Sequence, residues 1–321
     1  MRPLRFLFLL AACFAAAAQA QTWPAKPVRI VVAYPPGGGI DVMARQIADR
    51  LGSAWGQPVV VENKPGANTI VATDAVAKSA PDGHTVLMTT DATFSINPHL
   101  YARLPYDAQR DFVPVTMLVL LQQMLVAHAS FPANSLDELI KLAKAKPGSI
   151  NYASYGSGSQ PHLSGEMLKN KAGIDLVHVP YKGISLAVPA VMAGEVQLTF
   201  AGIATSTAPL KAGRIKALAI GGPRRSPLFP QVPTFTELGF PEVETHAWFG
   251  LFLPAGSPKE AVSRIHADVK RVLDDPEFRQ KQLIDRGYDV VGSAPDEFVR
   301  YLRRDSESRA RAVKISGARA E

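Results

Sequence analysis

The stretch Val28-Arg29-Ile30-Val31-Val32-Ala33-Tyr34-Pro35-Pro36-Gly37-Gly38-Gly39-Ile40-Asp41-Val42-Met43-Ala44-Arg45 decides how the chain is organised. Val28 to Ala33 is short, continuous and rich in valine and isoleucine, the pattern of a strand buried on both faces. A proline–glycine turn follows, and Ile40 to Leu51 carries apolar residues at helical spacing. The unit repeats outward. Val59 to Glu62 reads as a second strand, residues from about Thr69 to Ser79 as a helix, and Thr85 to Thr89 as a third strand. The β-α-β-α-β order predicts an α/β fold with a parallel sheet and helices on both faces.

A second α/β unit lies further along. Helix Leu136 to Ala145 stops at Pro147-Gly148. Strand Ile150 to Ala153, helix Pro161 to Ala172, strand Leu176 to Val179, helix Ser185 to Ala193, strand Val196 to Phe200 and strand Ile215 to Ile220 follow. Between the units, the apolar run Val113 to Ala127 is broken by Gln122-Gln123, too polar for a membrane span, and is expected to be an extended crossover. Trp248 to Leu253 is expected to return the chain. The proline-rich segment Pro223 to Pro241 reads as a loop. A helix from Pro258 to Leu273 and two further helical stretches close the chain, with fraying expected after about Arg309. This order implies two α/β lobes joined by two crossovers: residues 21–122 with 248–321, and residues 123–247. Clefts between lobes favour small ligands.

The N-terminus carries Arg2 and Arg5, an apolar run from Leu4 to Ala18, and Ala18-Gln19-Ala20. That is the layout of a secretory signal peptide over residues 1–20, cleaved after Ala20, and it predicts a periplasmic protein. Leu10-Ala11-Ala12-Cys13 offers an alternative, lipid-anchored start at Cys13. Cys13 is the single cysteine of the 321 residues. Cleavage after Ala20 leaves none, which excludes disulfides, thiolate zinc sites and cysteine nucleophiles. The net charge of +7 falls to +5 without Arg2 and Arg5. No basic stripe points to nucleic acid.

Candidate binding residues sit at strand ends. Around Tyr34, residues Gly37, Gly38, Gly39, Ile40 and Asp41 form a turn where a helix start aims N–H groups at the loop, suited to an anion. Asp41 is placed to fix this turn rather than to touch the anion. Ser154, Tyr155, Gly156, Ser157, Gly158, Ser159 and His162 form a second such loop, with three hydroxyls. Neither loop holds lysine or arginine, so neutral donors would grip one carboxylate from opposite sides. Ala67 and Asn68, Thr90 and Asp91, Tyr181, and Ala201 are the remaining candidates at strand ends. No Gly-x-Ser-x-Gly elbow, Walker loop or complete dinucleotide fingerprint is present, and the seven histidines form no short metal-ligand pair. The expectation is therefore a binding protein rather than an enzyme, with no catalytic residues, metal or cofactor.

The chain also resembles a known family. Ala33 to Arg45 and Val61-Glu62-Asn63-Lys64-Pro65-Gly66-Ala67 are similar to the Bug family, the extracytoplasmic solute receptors of tripartite tricarboxylate transporters. So are Pro81-Asp82-Gly83-His84-Thr85, Asn97-Pro98-His99-Leu100-Tyr101, Asp111 to Val115, His178-Val179-Pro180-Tyr181-Lys182-Gly183, Ala217-Leu218-Ala219 and Val232-Pro233-Thr234. The matches run in order through nearly the whole mature chain. The resemblance implies a type II periplasmic-binding-protein-like fold and a carboxylate pinched, partly through water, between the Gly38 and Ser157 loops. It further implies closure on binding and delivery by a monomer to membrane transporter subunits. A periplasmic sensor for a membrane signalling protein is the alternative on the same fold, and a secreted enzyme a more remote one. Three residues depart from the family pattern. Ile40 stands where many members carry a small hydroxyl residue, adding apolar wall. Asp91 and Tyr155 stand at typically small positions. An anionic Asp91 facing the cleft would disfavour a second carboxylate and favour an ammonium or hydroxyl group, while Tyr155 would narrow the cleft. The expected solute has one essential carboxylate and an apolar or amine-bearing remainder.

Overall fold

A computed structural model describes residues 23–222, 224–243 and 246–317. The signal peptide and Cys13 lie outside these residues. The first unit forms as its pattern dictates. Strand β1 (Val28–Val32) is buried at four of its five positions and lies between β2 (Val59–Asn63) and β3 (Thr85–Thr90), parallel to both. Helix α1 (Gly39–Trp55) lays Ile40, Met43, Ala44, Ile47, Ala48 and Leu51 on the sheet, the spacing of one helix face. Gly56, in the left-handed region at φ 63°, ends it. Helix α2 (Ile70–Ala77) connects β2 to β3, and a turn through 92–96 leads into the short α3 (Asn97–Leu100).

The long apolar run is one 17-residue strand, β4 (Phe112–His128). In the second unit, α4 (Leu136–Ala145), β5 (Asn151–Ser154), α5 (Gln160–Ala172), β6 (Val177–Pro180), α6 (Ile184–Ala193), β7 (Leu198–Gly202), α7 (Ile203–Lys211) and β8 (Ile215–Ile220) follow in turn. Strand β9 (His246–Pro254) then returns the chain, pairing antiparallel with β3 on one side and β4 on the other. Beyond α8 (Lys259–Asp274) come helical turns through 276–286, the three-residue strand β10 (Tyr288–Val290), and α9 (Pro295–Ser316).

The sheet order is β2-β1-β3-β9-β4-β7-β5-β6, with β8 and β10 also on β4. Thus β4 belongs to both halves. Its first part pairs with β9 and β10, and its last part with β7 and β8. Register shifts beside Pro114 and before Val119 bend it, as bulges do. Each half has its own core, one around Ile30, Ile47 and Leu251, the other around Tyr152, Leu168 and Phe200.

Three expectations need correction. Helix α7 and strand β10 were unassigned. The C-terminal segment does not fray after Arg309: α9 continues to Ser316 because Arg309 is buried and Val313 packs with Ile96, Leu100 and Leu163. That cluster joins residues from both halves.

Helix α9 docks tightly on the returning strand. A Cβ on Gly250 would lie 2.6 Å from Cζ of Phe298 and 3.1 Å from Trp248, both rigid and fully buried. Gly250→Ala is therefore expected to destabilise the chain by about 1–3 kcal/mol, read from the urea midpoint. An unchanged midpoint would mean that this contact does not fix α9.

Candidate functional site

Parallel strands deliver helix starts to one edge of a sheet. Here three of them open on one narrow cavity of about 70 Å³ between the halves. Gly38 and Gly39 begin α1 after β1. Gly183, Ile184 and Ser185 begin α6 after β6. Gly202, Ala204 and Thr205 begin α7 after β7. The N-cap residue is glycine in all three, and no side chain caps any of them. The first N–H groups of a helix have no acceptor within it, and the macrodipole adds partial positive charge there. The three starts thus present donors with no built-in acceptor. The α1 and α6 starts are in contact across the halves: a Cβ on Gly38 would lie 3.9 Å from Ile184 Cγ2, and one on Gly183 3.3 Å from Pro35.

The floor is the sheet itself. Thr90 pairs with Phe249, Ala247 with Leu121, and Leu121 with Tyr288. On the polar side, Tyr34 Oη and Thr90 Oγ1 are 2.9 Å apart, and Gln123 Nε2 donates to Tyr155 Oη at 3.3 Å. The Tyr34 and Tyr155 rings meet edge to face at 6.1 Å, one from each half. Burial raises the pKa of both phenols above the ordinary range and that of Tyr288 to about 12. All three hydroxyls therefore stay protonated. Among the described residues lining the cavity, none is charged.

The expected residues divide accordingly. Tyr34, Gly38, Gly39, Ile40, Thr90 and Tyr155 line the cavity. Gly37 and Asp41 stand behind it: the Gly37 N–H donates to Asp41 Oδ2 at 2.9 Å, and Arg45 and Asn63 hold the same carboxylate. Burial alone would raise the Asp41 pKa, but these bonds lower it. Asp41 fixes the turn, as expected. Ala67 and Asn68, both at positive φ, sit outside the cavity, with Asn68 Nδ2 donating to Asn97 Oδ1 at 2.8 Å.

The serine-rich loop lies mostly away from this cavity. Only its Tyr155 reaches the cavity wall. Ser154 Oγ and Ser159 Oγ both donate to the Gly156 carbonyl, at 3.0 and 2.6 Å, and Ser154 also meets His178 Nε2 at 2.7 Å. Gly156 closes this local turn, Ser157 is exposed, and Gly158 is pressed against Leu100. His162 accepts the Gly158 N–H at 2.9 Å and stacks on His178 at 4.0 Å, and burial lowers both imidazoles to about 4. Tyr181 is partly buried against the core beside α6, and Ala201 is fully buried in β7. From the second half the cavity is lined instead by Gly183, Ile184 and Ser185 and by Gly202, Ala204 and Thr205. Gly183 was visible as the end of a strand-end segment. Gly202 was hidden because α7 was unassigned, and Leu121, Ala247, Phe249 and Tyr288 meet only in the folded sheet.

Asp91 does not face the cavity either. It is buried beside Arg309, Oδ2 to Nη2 at 3.5 Å, and Arg309 Nη2 also donates to the His246 carbonyl at 2.6 Å. Asp305 shares this cluster, accepting from Trp248 Nε1 at 2.8 Å, with His246 Nε2 3.8 Å away. Burial, opposed by Arg309 and reinforced by Asp305, raises the Asp91 pKa to about 6. For Asp305 burial is outweighed by His246, Arg309 and Trp248, and its pKa falls well below the usual range.

The fold, with its cavity between the halves, is that of the type II periplasmic solute-binding proteins. Residues 43–317 match the model described as "Tripartite tricarboxylate transporter family receptor", and the chain belongs to that family. It is 34% identical to Protein BugT of Bordetella pertussis over 318 residues, covering 98% of this chain and 96% of that one. Among solved structures, Rpa4515 of R. palustris with adipate superposes at a TM-score of 0.89 with 32% identity, covering 92% of this chain and 99% of that one. MatC of Rhodopseudomonas palustris with bound malate gives 0.84 and 32%, covering 92% and 100%. The family is one of receptors, not enzymes.

A raised carboxyl stabilises the fold fully below its unfolded pKa of about 4, and the contribution is lost as pH rises through the folded value of about 6. Asp305 acts oppositely, contributing above about pH 4 and losing its share as pH falls toward its depressed folded value. Asp91→Asn should therefore gain thermal stability relative to the parent as pH rises from about 4 to 6. Melting temperatures across this range check it, and a pH-independent difference would contradict it.

Proposed function

We propose that this receptor captures a small carboxylate-bearing solute in the cavity and delivers it, as a monomer, to the membrane subunits of a tripartite tricarboxylate-type transporter. The observation that carries the reading is the convergence of three uncapped, glycine-started helices on one cavity with no cation among the described residues of its wall. Backbone donors and protonated hydroxyls hold an anion without the strength of a buried guanidinium, which suits capture followed by release. Adipate and malate in the two R. palustris relatives support the same chemical class. In this reading residues 1–20 are removed on export. Residues 21–122 with 248–321 form one lobe and 123–247 the other. The lobes close over the solute about β4 and β9, shifting an open–closed population. The ligand contacts are Gly38, Gly39 and Ile40 with Tyr34, Thr90 and Tyr155, together with the starts of α6 and α7.

The test uses the geometry of the caps. Gly38 and Gly202 have extended backbones typical of N-caps, and a Cβ on either meets nothing closer than 3.9 Å. Gly38→Asp and Gly202→Asp should fold normally, since aspartate is a good N-cap worth a few tenths of a kcal/mol over glycine. Each places a carboxylate on the donors meant for the solute. The parent at a hundred times the dissociation constant should be stabilised by about 2.7 kcal/mol, read as a rise in melting temperature with a small carboxylate. Both variants should lose affinity by about 100-fold, as like charges at close range imply. Carboxylate binding that survives both substitutions would overturn the reading.

A further inference from the structure

We propose that the Tyr288 hydroxyl is a solute contact: it donates to the same carboxylate that the first N–H groups of α1 hold. This rests on the carboxylate capture proposed above and adds a side-chain donor that no motif in the sequence marks. Its position follows from β10, whose three residues pair with β4, Tyr288 opposite Leu121. Gly287, just before it, is in the left-handed region at φ 78° and pressed against Ile203, the first residue of α7, with no room for a Cβ. Tyr288 is thereby carried to the place where the start of α7 meets the first half. Its ring leans on Phe249, the centroids 6.0 Å apart. Its Oη reaches α1: a Cβ on Gly39, the first residue of that helix, would lie 2.5 Å from it. Around this hydroxyl the floor is apolar, formed by Leu121, Ala247 and Phe249.

The three phenols of the wall differ in their partners. Tyr34 is bonded to Thr90, and Tyr155 accepts from Gln123. Tyr288 has no hydrogen-bond partner among the described residues, although it is only 7% exposed. A buried tyrosine hydroxyl usually finds a partner, and one left unbonded is costly. Burial pushes its pKa up to about 12, so the proton stays on and the group is a donor at neutral pH. A carboxylate seated on the start of α1 brings an acceptor beside this donor. A hydrogen bond to an ionised oxygen is stronger than one between neutral groups. The hydroxyl therefore belongs with the helix starts, as a side-chain donor at the α1 pole.

The experiment measures affinity by calorimetry for butanoate, succinate, hexanoate and adipate. Tyr288→Phe removes an oxygen that bonds to nothing in the chain, so the ligand-free variant is expected to melt with the parent. It should bind every solute about tenfold more weakly, a difference of about 1.4 kcal/mol, and by the same factor for all four. Unchanged affinity in the variant overturns the proposal while leaving carboxylate capture intact. A loss confined to the dicarboxylates places the hydroxyl at the far end of the solute and overturns it too. Failure of the parent to bind any of the four overturns the capture reading and this proposal with it. A second arm uses Gly39→Ala, whose methyl would displace the phenol oxygen while meeting Tyr288 Cζ and Phe249 only at 3.8 and 4.0 Å. It should weaken binding about tenfold in the parent and add no further loss to Tyr288→Phe. The same loss in both backgrounds would mean that the methyl acts without the hydroxyl, and would contradict the proposal.

Discussion

Three helices begin at one cavity on glycine, with no capping side chain to accept their first N–H groups, and the rest of the site depends on that fact. A serine or aspartate at any of these starts would satisfy the donors internally. Glycine at 38, 183 and 202 leaves them open. The fold supplies the convergence. Helices α1, α6 and α7 each follow a strand whose C-terminal end reaches the same edge, and β4 keeps the two halves in one sheet. The polar groups that do line the cavity are neutral. The charged residues nearby are held behind it, Asp41 by Arg45 and Asn63, and Asp91 by Arg309. Charge near the site supports the turns and the packing of α9, and burial together with Asp91 behind the wall keeps the Tyr34 and Tyr155 hydroxyls protonated.

How the halves meet follows from the same arrangement. The halves touch in two further places: Tyr34 meets Tyr155, and Ile96, Leu100, Leu163 and Val313 form a small apolar cluster. The C-terminal helix takes part in that cluster and, through Arg309 and Asp305, in the buried ionic group behind Thr90. Asp91, Asp305 and Arg309 all belong to the first half, so this desolvated ion pair fixes α9 within that half, where Phe298 packs on Trp248 and Phe252.

Local patterns were legible in the sequence, and long-range ones were not. The β1–glycine–α1 unit declares itself because a buried strand, a turn and an amphipathic helix follow one another without interruption. Both crossovers were visible as apolar runs. Helix α7 was not, because Ile-Ala-Thr-Ser-Thr-Ala-Pro-Leu-Lys combines β-branched residues, hydroxyls and Pro209, all weak helix formers. Its absence from the sequence reading concealed Gly202. The serine-rich loop was misleading for a chemical reason: free hydroxyls and hydroxyls already bonded to Gly156 and His178 look the same in a sequence. Asp91 gave no sign of turning inward, since Arg309 lies far along the chain. The apolar floor combines β4, β9 and β10, and β10 is only three residues long.

The account is tested most directly by nuclear magnetic resonance of the backbone amides during titration with a monocarboxylate such as hexanoate. The account predicts that the largest amide-proton shifts fall on Gly39 and Ile40, on Ile184 and Ser185, and on Ala204 and Thr205. Shifts confined to Ser157 through His162, with the three helix starts unmoved, would contradict it.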